Sequence, residues 1–290
     1  RVDETGIMAN FVLPDNHQME GWADAELVDG VITIQQPTIR PLNNTRSFQL
    51  SMMNWMKAAK VSGKRATSAE TFYDYIRGYW KDEVHPKYGK GSSFEAFWDE
   101  ALQSGIVGTD KYAKTSTARS FKIESLSKVK PVSGKGFELV LYPTVALGDG
   151  TLANISWLQE LPDPVTKICW DNYASFSIAT AEKMGLKEGS MVNVKVDGTA
   201  VALPAHIQPG LHDDVVAVAI GYGRTKAGKV ANNIGTNAYQ FAQLTKGNAI
   251  YSGRSAEVTK GSGKYDLACV AGNNSMEGRK IVVEATLKEY

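Results

Sequence analysis

Apolar positions recur at helical spacing through the first part of the chain and alternate at strand spacing through the second. Phe48, Met52, Trp55, Met56 and Ala59 predict an amphipathic helix over about 46–60, with Asn43, Asn44 or Thr45 as its N-cap. Phe72, Tyr75, Ile76, Tyr79 and Trp80 trace a second helical face after Thr67-Ser-Ala-Glu70, which has capping-box spacing. Ser92-Ser-Phe-Glu95 opens a third helix through Phe94, Phe97, Trp98, Ala101 and Leu102, with Gly105 placed to stop it. Aromatic stripes at this spacing read as core, not as a stacking platform. Val31–Gln35 alternates as a short strand ended by Gln36-Pro37, 61–66 reads as a loop, and 108–135 as a long surface loop or linker.

From Phe137 the texture is β. Phe137–Tyr142 is a strand, followed by the Gly148-Asp-Gly150 turn. Ser177 or Thr180 caps a short helix that Gly185 ends. Met191–Val196 alternates cleanly into Asp197-Gly198, a two-residue hairpin signal, and Val201–Ile207, Pro209-Gly210 and Asp214–Ile220 add two strands and a turn. Short strands around one small helix predict a compact β-barrel. The fold class is therefore α/β followed by a β-barrel, divided into 1–136 and 137–290.

Composition bounds the function more than it identifies it. The chain has 290 residues, 43% apolar and 22% charged, as a globular protein with a sizeable core has. The net charge of +1 gives no reason to expect a nucleic-acid partner. The longest apolar run, Val215–Ile220, falls far short of the roughly 20 residues of a bilayer helix. The two cysteines, Cys169 and Cys269, form no CxxC cluster or zinc site; they read as buried free thiols, with a disulfide between them as the alternative. The chain opens on Arg1 and is read as part of a longer one.

No self-contained catalytic constellation is visible. Gly223-Arg-Thr-Lys-Ala-Gly228-Lys229 has phosphate-loop spacing after a strand, but Val230 stands where Ser or Thr would hold magnesium and the following residues make a poor helix. It reads as a glycine-rich barrel loop. Asp15, His17, Glu20 and Asp24 cluster within ten residues, on a segment that Pro14 and Gly21 make irregular, and read as loop polarity rather than metal ligands. Asn232, Asn233, Asn237 and Tyr239 form an amide-rich loop suited to reading a heterocycle edge or to satisfying a barrel mouth.

The stretch from Asn154 to Asn172 is the most constrained in the chain. Pro162 and Pro164 push Leu161 and Asp163 out of the helical region, and Trp157 and Trp170 each bring a large apolar body. Such a loop lines a ligand or knits two layers together. The second reading makes both tryptophans buried anchors.

Several motifs in series resemble one family. They are Asn154-Ile-Ser-Trp-Leu-Gln-Glu-Leu-Pro-Asp-Pro-Val-Thr-Lys…Trp-Asp-Asn172, Gly221-Tyr-Gly-Arg-Thr-Lys-Ala-Gly-Lys-Val…Gly235-Thr-Asn-Ala-Tyr239, Ser275-Met-Glu-Gly-Arg279, and the early Pro14…Asp24 and Gln35…Leu42 stretches. They resemble the molybdopterin-oxidoreductase-like region of the iron–sulfur subunit of bacterial alternative complex III. The resemblance covers about 10–57 and 138–290. It implies the end of the superfamily's α/β domains over 1–136 and a C-terminal double-psi barrel over 137–290. It also implies no cofactor within this segment, iron–sulfur clusters in a downstream ferredoxin-like domain, and multihaem cytochrome c and membrane quinol-site subunits as partners on the periplasmic side of the inner membrane. Two departures from catalytic relatives, Thr144-Val-Ala-Leu147 in place of a basic residue and Asn273-Asn274 in place of paired histidines, weigh against a working cofactor site. The alternative is a true molybdopterin enzyme such as a polysulfide or thiosulfate reductase, in which Asn172, Asn237 and Tyr239 would contact the dinucleotide.

Overall fold

The computed structural model describes residues 2–109, 120–128, 136–271, 278–279, 283 and 285–290. Asn273, Asn274 and the first three residues of Ser275-Met-Glu-Gly-Arg279, like most of 108–135, lie outside them. Two compact units emerge, one from Ala9–Phe121 and one from Lys122–Tyr290 joined by Val2–Met8.

In the first unit β1 (Ala23–Val28) and β2 (Val31–Gln35) form an antiparallel hairpin, and a two-residue strand β3 (Ile106–Val107) extends the sheet from β2. Ile32 and Ile34 point from β2 into a core of Ile76, Trp80, Val84, Phe94, Phe97 and Trp98. The aromatic stripes are core, as the spacing predicts: Trp80 meets Trp98 edge-on at 5.7 Å, and its indole N–H donates to Asp24 Oδ2 at 3.0 Å.

Helix boundaries follow the caps that the backbone uses. Ser47, not Asn43–Thr45, accepts the N–H of Leu50 and opens the helix Phe48–Ala58. Its predicted apolar face is largely exposed in this unit, with Phe48, Met52 and Trp55 open and Met53 buried. Thr67–Glu70 is not a capping box. Residues Lys64–Ser68 are already helical, and Thr71 with Asp74 closes the box before Phe72–Tyr79. A π-type turn, Trp80–Val84, follows and keeps Trp80 and Val84 inward. Ser93 caps Phe94–Ser104, which Gly105 ends in the left-handed region.

The second unit is built on a closed six-stranded barrel of β4 (Phe137–Pro143), β6 (Ala174–Phe176), β7 (Ser190–Val196), β8 (Thr199–Ile207), β9 (Val215–Ile220) and β12 (Arg254–Lys264). Parallel pairs β4–β9 and β6–β8 are joined by the antiparallel pairs β6–β9 and β7–β8. Asp197 and Gly198, both at positive φ, make the β7–β8 turn. Strand β12 closes the barrel by changing partners: Arg254–Ala256 pairs with β4, and Glu257 onward with β7. Leu139, Phe176, Val192, Val194, Leu203, Val216, Val218 and Phe241 fill the interior. Beside the barrel, β5 (Ile168–Cys169) pairs with β13 (Ala268–Cys269), and β10 (Gln243–Thr245) with β11 (Asn248–Ile250). Both cysteines are free thiols, but only Cys169 is buried; Cys269, on the outer strand, is exposed.

Candidate functional site

Local constraint shapes the Asn154–Asn172 stretch first. Ser156–Glu160 forms a helical turn where the prolines predict an extended loop, and Leu161 before Pro162 is extended at ψ 115°. Asp163 then folds the chain on itself: its Oδ1 accepts the N–H groups of Val165 and Thr166, each at 2.9 Å. Its backbone N–H donates to Ile168 O at 3.0 Å. The Pro-Asp-Pro unit is a self-contained turn.

The tryptophans do not act as paired anchors. Trp157 is 83% exposed, because the helical turn faces it outward, and Trp170 is half-buried at φ 68°. The buried residue of the turn is Gln159, whose Nε2 donates to Ala153 O at 2.8 Å. Its Oε1 is buried without a protein partner. The cavity beside it, lined by Thr144, Gln159, Trp170, Tyr173 and Tyr222 among others, holds about 10 Å³. That is room for roughly one water molecule. Burial raises the phenol pKa of Tyr142 and Tyr173 and pushes that of Tyr222 to about 12, so all three stay protonated at neutral pH.

The clasp that the sequence could not place is Asn172. It is 1% exposed, and its Nδ2 donates to Ala219 O and Thr236 O, both at 2.8 Å, while Oδ1 accepts Thr236 N–H at 2.8 Å. Asp171 works beside it, accepting Gly235 N–H at 3.2 Å and the Tyr265 hydroxyl at 2.7 Å. That bond to the Asp171 carboxylate pushes the Tyr265 phenol to about 12. Asn154, at the other end of the stretch, accepts Val230 N–H at 3.3 Å. Both ends of the stretch are thus tied to the loop between β9 and the turn Ala238–Phe241.

That loop is held from within. Gly223 N–H donates to Ile234 O, and Asn233 N–H to Arg224 O, each at 2.7 Å. Asn232 Oδ1 accepts Ala227 and Gly228 N–H at 2.9 and 3.1 Å. Gly223 sits at φ 70° with Asn237 N pressed against the place a Cβ would take, and Gly228 at φ 124° packs on the Asn154 amide. Asn237 is exposed and caps Ala238–Phe241 with its Oδ1, and Tyr239 donates its hydroxyl to Asp149 O at 2.8 Å. Thr144 likewise turns inward on its own loop, accepting Leu147 N–H at 3.1 Å.

The remaining N–H groups of the glycine-rich loop hold an anion from the chain itself. Glu4 Oε1 accepts from Thr225 N at 2.7 Å and Lys226 N at 2.9 Å, and Arg224 Nη2 donates to Oε2 at 2.8 Å. Sequence reading missed Glu4, which has no local signal and lies 220 residues from its partner.

A dinucleotide fits these groups poorly as they stand: the Asn172 amide is fully engaged, and the loop N–H groups at 225–228 have partners in the chain. The four polar residues near the start are also occupied. His17 and Glu20 cap each other's turn, Asp15 accepts Phe48 N–H at 2.8 Å, and Asp24 holds Trp80. Among the described residues no group of three or more His, Cys, Asp or Glu side chains is gathered as a metal site.

Residues 159–254 match the family model of the molydopterin dinucleotide binding domain. A curated relative, the menaquinone reductase, molybdopterin-binding-like subunit of Nitratidesulfovibrio vulgaris (strain Hildenborough), is 23% identical over 276 residues, which take in 89% of this chain and 36% of that protein. Acetylene hydratase from Pelobacter acetylenicus shares the fold, with a TM-score of 0.64 at 12% identity over 89% of this chain and 39% of that one. The chain therefore spans little more than a third of the length of either. Together the domain match and the relative support the molybdopterin oxidoreductase superfamily, and the closed barrel matches a C-terminal domain of that type. The domain match is also compatible with a bound dinucleotide.

Proposed function

We propose that this chain is a structural, cofactor-free part of the iron–sulfur subunit of a quinol-oxidising respiratory complex of the alternative complex III type. The observation that carries this reading is Asn172. The amide that a dinucleotide-binding role would assign to the ligand is buried and bonded on both its atoms to backbone of the same unit. The kinship to a menaquinone reductase subunit described as molybdopterin-binding-like supports a quinone-linked assembly. The parallel β4–β9 and β6–β8 pairs support the double-psi arrangement within the closed barrel.

In this reading electrons pass through clusters in a downstream ferredoxin-like domain of the same subunit. The partners are multihaem cytochrome c and membrane quinol-site subunits, on the periplasmic side of the inner membrane. Exposed Val145, Leu152, Ile155, Trp157, Leu161 and Val165, close together in sequence, support a role in subunit contact. In this reading the residues of the stretch are structural: Asn172 and Asn154 fix it to the loop, and Asp163 stiffens it between them.

The test separates assembly from turnover in the intact complex. Tyr239→Phe removes the hydroxyl that a dinucleotide would meet, and Trp157→Ala an exposed contact. The expected result is unchanged turnover per assembled complex in both variants and reduced assembly in the second. Normal assembly with lost turnover in Tyr239→Phe returns the loop to a ligand role, as in a polysulfide or thiosulfate reductase that holds a molybdopterin dinucleotide.

A further inference from the structure

The turn Ser156–Glu160 buries the residue that hydrophobicity would leave outside. Residues two apart on a helical turn stand about 200° from one another, so when one faces in the other faces out. Here Trp157 is 83% exposed and Gln159 is 3% exposed. Apolar rings favour the interior, and an amide there costs free energy unless its polar atoms are bonded. This facing therefore requires that both ends of the Gln159 amide be satisfied.

One end is. Ala153 O can only accept, so it fixes the amide with Nε2 towards it, at 2.8 Å. The other end, Oε1, is buried and bonded to no protein group among the described residues. An amide oxygen only accepts, so what completes it is a hydrogen-bond donor.

The cavity beside Gln159 supplies the place. Its room of about 10 Å³ suits one water molecule and no larger ligand. Tyr173 and Tyr222 line it with phenols that burial keeps protonated. A phenol hydroxyl donates one bond and can accept others. The bonds of Tyr173 to Thr166 Oγ1, at 2.6 Å, and of Tyr222 to Thr144 thus leave capacity for a further partner at each. Gln159 Oε1 and these phenols together match the two to four polar partners that a buried water takes.

We propose that this cavity is a site for one structural water molecule, which donates to Gln159 Oε1, bonds to the phenol-lined wall and so holds the turn with Gln159 inward and Trp157 outward. The site is independent of the scaffold reading, because Gln159 needs its donor whether or not a pterin is bound.

Deuteron relaxation dispersion of water on the full-length protein counts molecules held longer than the protein tumbles. The wild type should hold one more such molecule than Gln159→Leu, which keeps the bulk of the side chain and removes the acceptor. Ala146→Val, which fills the cavity from another side, should lose the same molecule. Equal counts in the wild type and either variant would overturn the proposal. A crystal structure of the wild type needs no variant to fold: ordered density within hydrogen-bonding distance of Gln159 Oε1 is expected, and its absence would overturn the site. The facing of the turn is read by fluorotryptophan in place of Trp157, whose fluorine shift between light and heavy water reports exposure. That shift should be large in the wild type and fall in Ala146→Val. An unchanged shift in a variant that has lost the water would overturn the positioning role.

Discussion

The Asn172 side chain and the Thr236 backbone exchange two hydrogen bonds of 2.8 Å across 64 residues of sequence. With the third bond, to Ala219 O, this amide does for the loop what a strand partner does for a strand. Replacing it removes this partner from the buried Ala219 carbonyl and from the half-buried Thr236 backbone. Asn172→Ala should therefore cost about 2–4 kcal/mol in denaturant unfolding. Asn172→Asp should do no better, since it turns an acceptor towards two carbonyl oxygens. A cost within about 0.5 kcal/mol in both variants, the range of ordinary surface substitutions, would remove the clasp.

Trp157 makes the opposite prediction. Read from sequence it is a buried anchor; at 83% exposure it has little to lose on truncation. Trp157→Ala should change the unfolding free energy of the isolated chain by no more than about 0.5 kcal/mol. A loss of several kcal/mol would mean that the helical turn Ser156–Glu160 faces the other way.

Gly223 should be intolerant of any side chain. Its φ of 70° disfavours L residues, and a Cβ would collide with Asn237 N. Gly223→Ala should destabilise by more than about 2 kcal/mol, since backbone strain and a clash with main chain add together. Gly198→Ala, with nothing within 4 Å of its Cβ, is the control that bears the φ cost alone. Thermal unfolding of the two variants side by side would show whether the close approach is real.

The pH dependence of the Glu4 contact has a fixed sign. The carboxyl pKa is depressed in the folded state, chiefly by Arg224. Its stabilisation is therefore complete above the ordinary carboxylate range and declines as pH falls below that range towards the folded value. The difference in hydrogen exchange of Val2–Met8 between wild type and Glu4→Gln should be constant around neutral pH and shrink in strong acid. A difference that grows on acidification would contradict the assignment.

What was legible in the sequence follows the range of the forces involved. The β7–β8 hairpin could be read because alternation and Asp197-Gly198 are local signals, and Ser177 and Gly185 mark their helix for the same reason. Strand β12 could not be read. Its Lys-Gly-Ser-Gly-Lys half carries no apolar alternation, and backbone pairing with β7 holds it. Asn172 was visible as part of an amide-rich stretch, but its partners lie 47 and 64 residues away. Glu4 had no signal at all. Trp157 misled because a large apolar side chain suggests burial, while the helical turn that exposes it depends on Gln159 turning inward.

The proposal that this chain is a cofactor-free part of a quinol-oxidising complex is tested most directly by the molybdenum and pterin content of the full-length protein, purified with the subunits that accompany it. The predicted result is molybdenum far below one atom per complex and no extractable pterin, in preparations that retain quinol oxidation. Stoichiometric molybdenum with a pterin dinucleotide would contradict it.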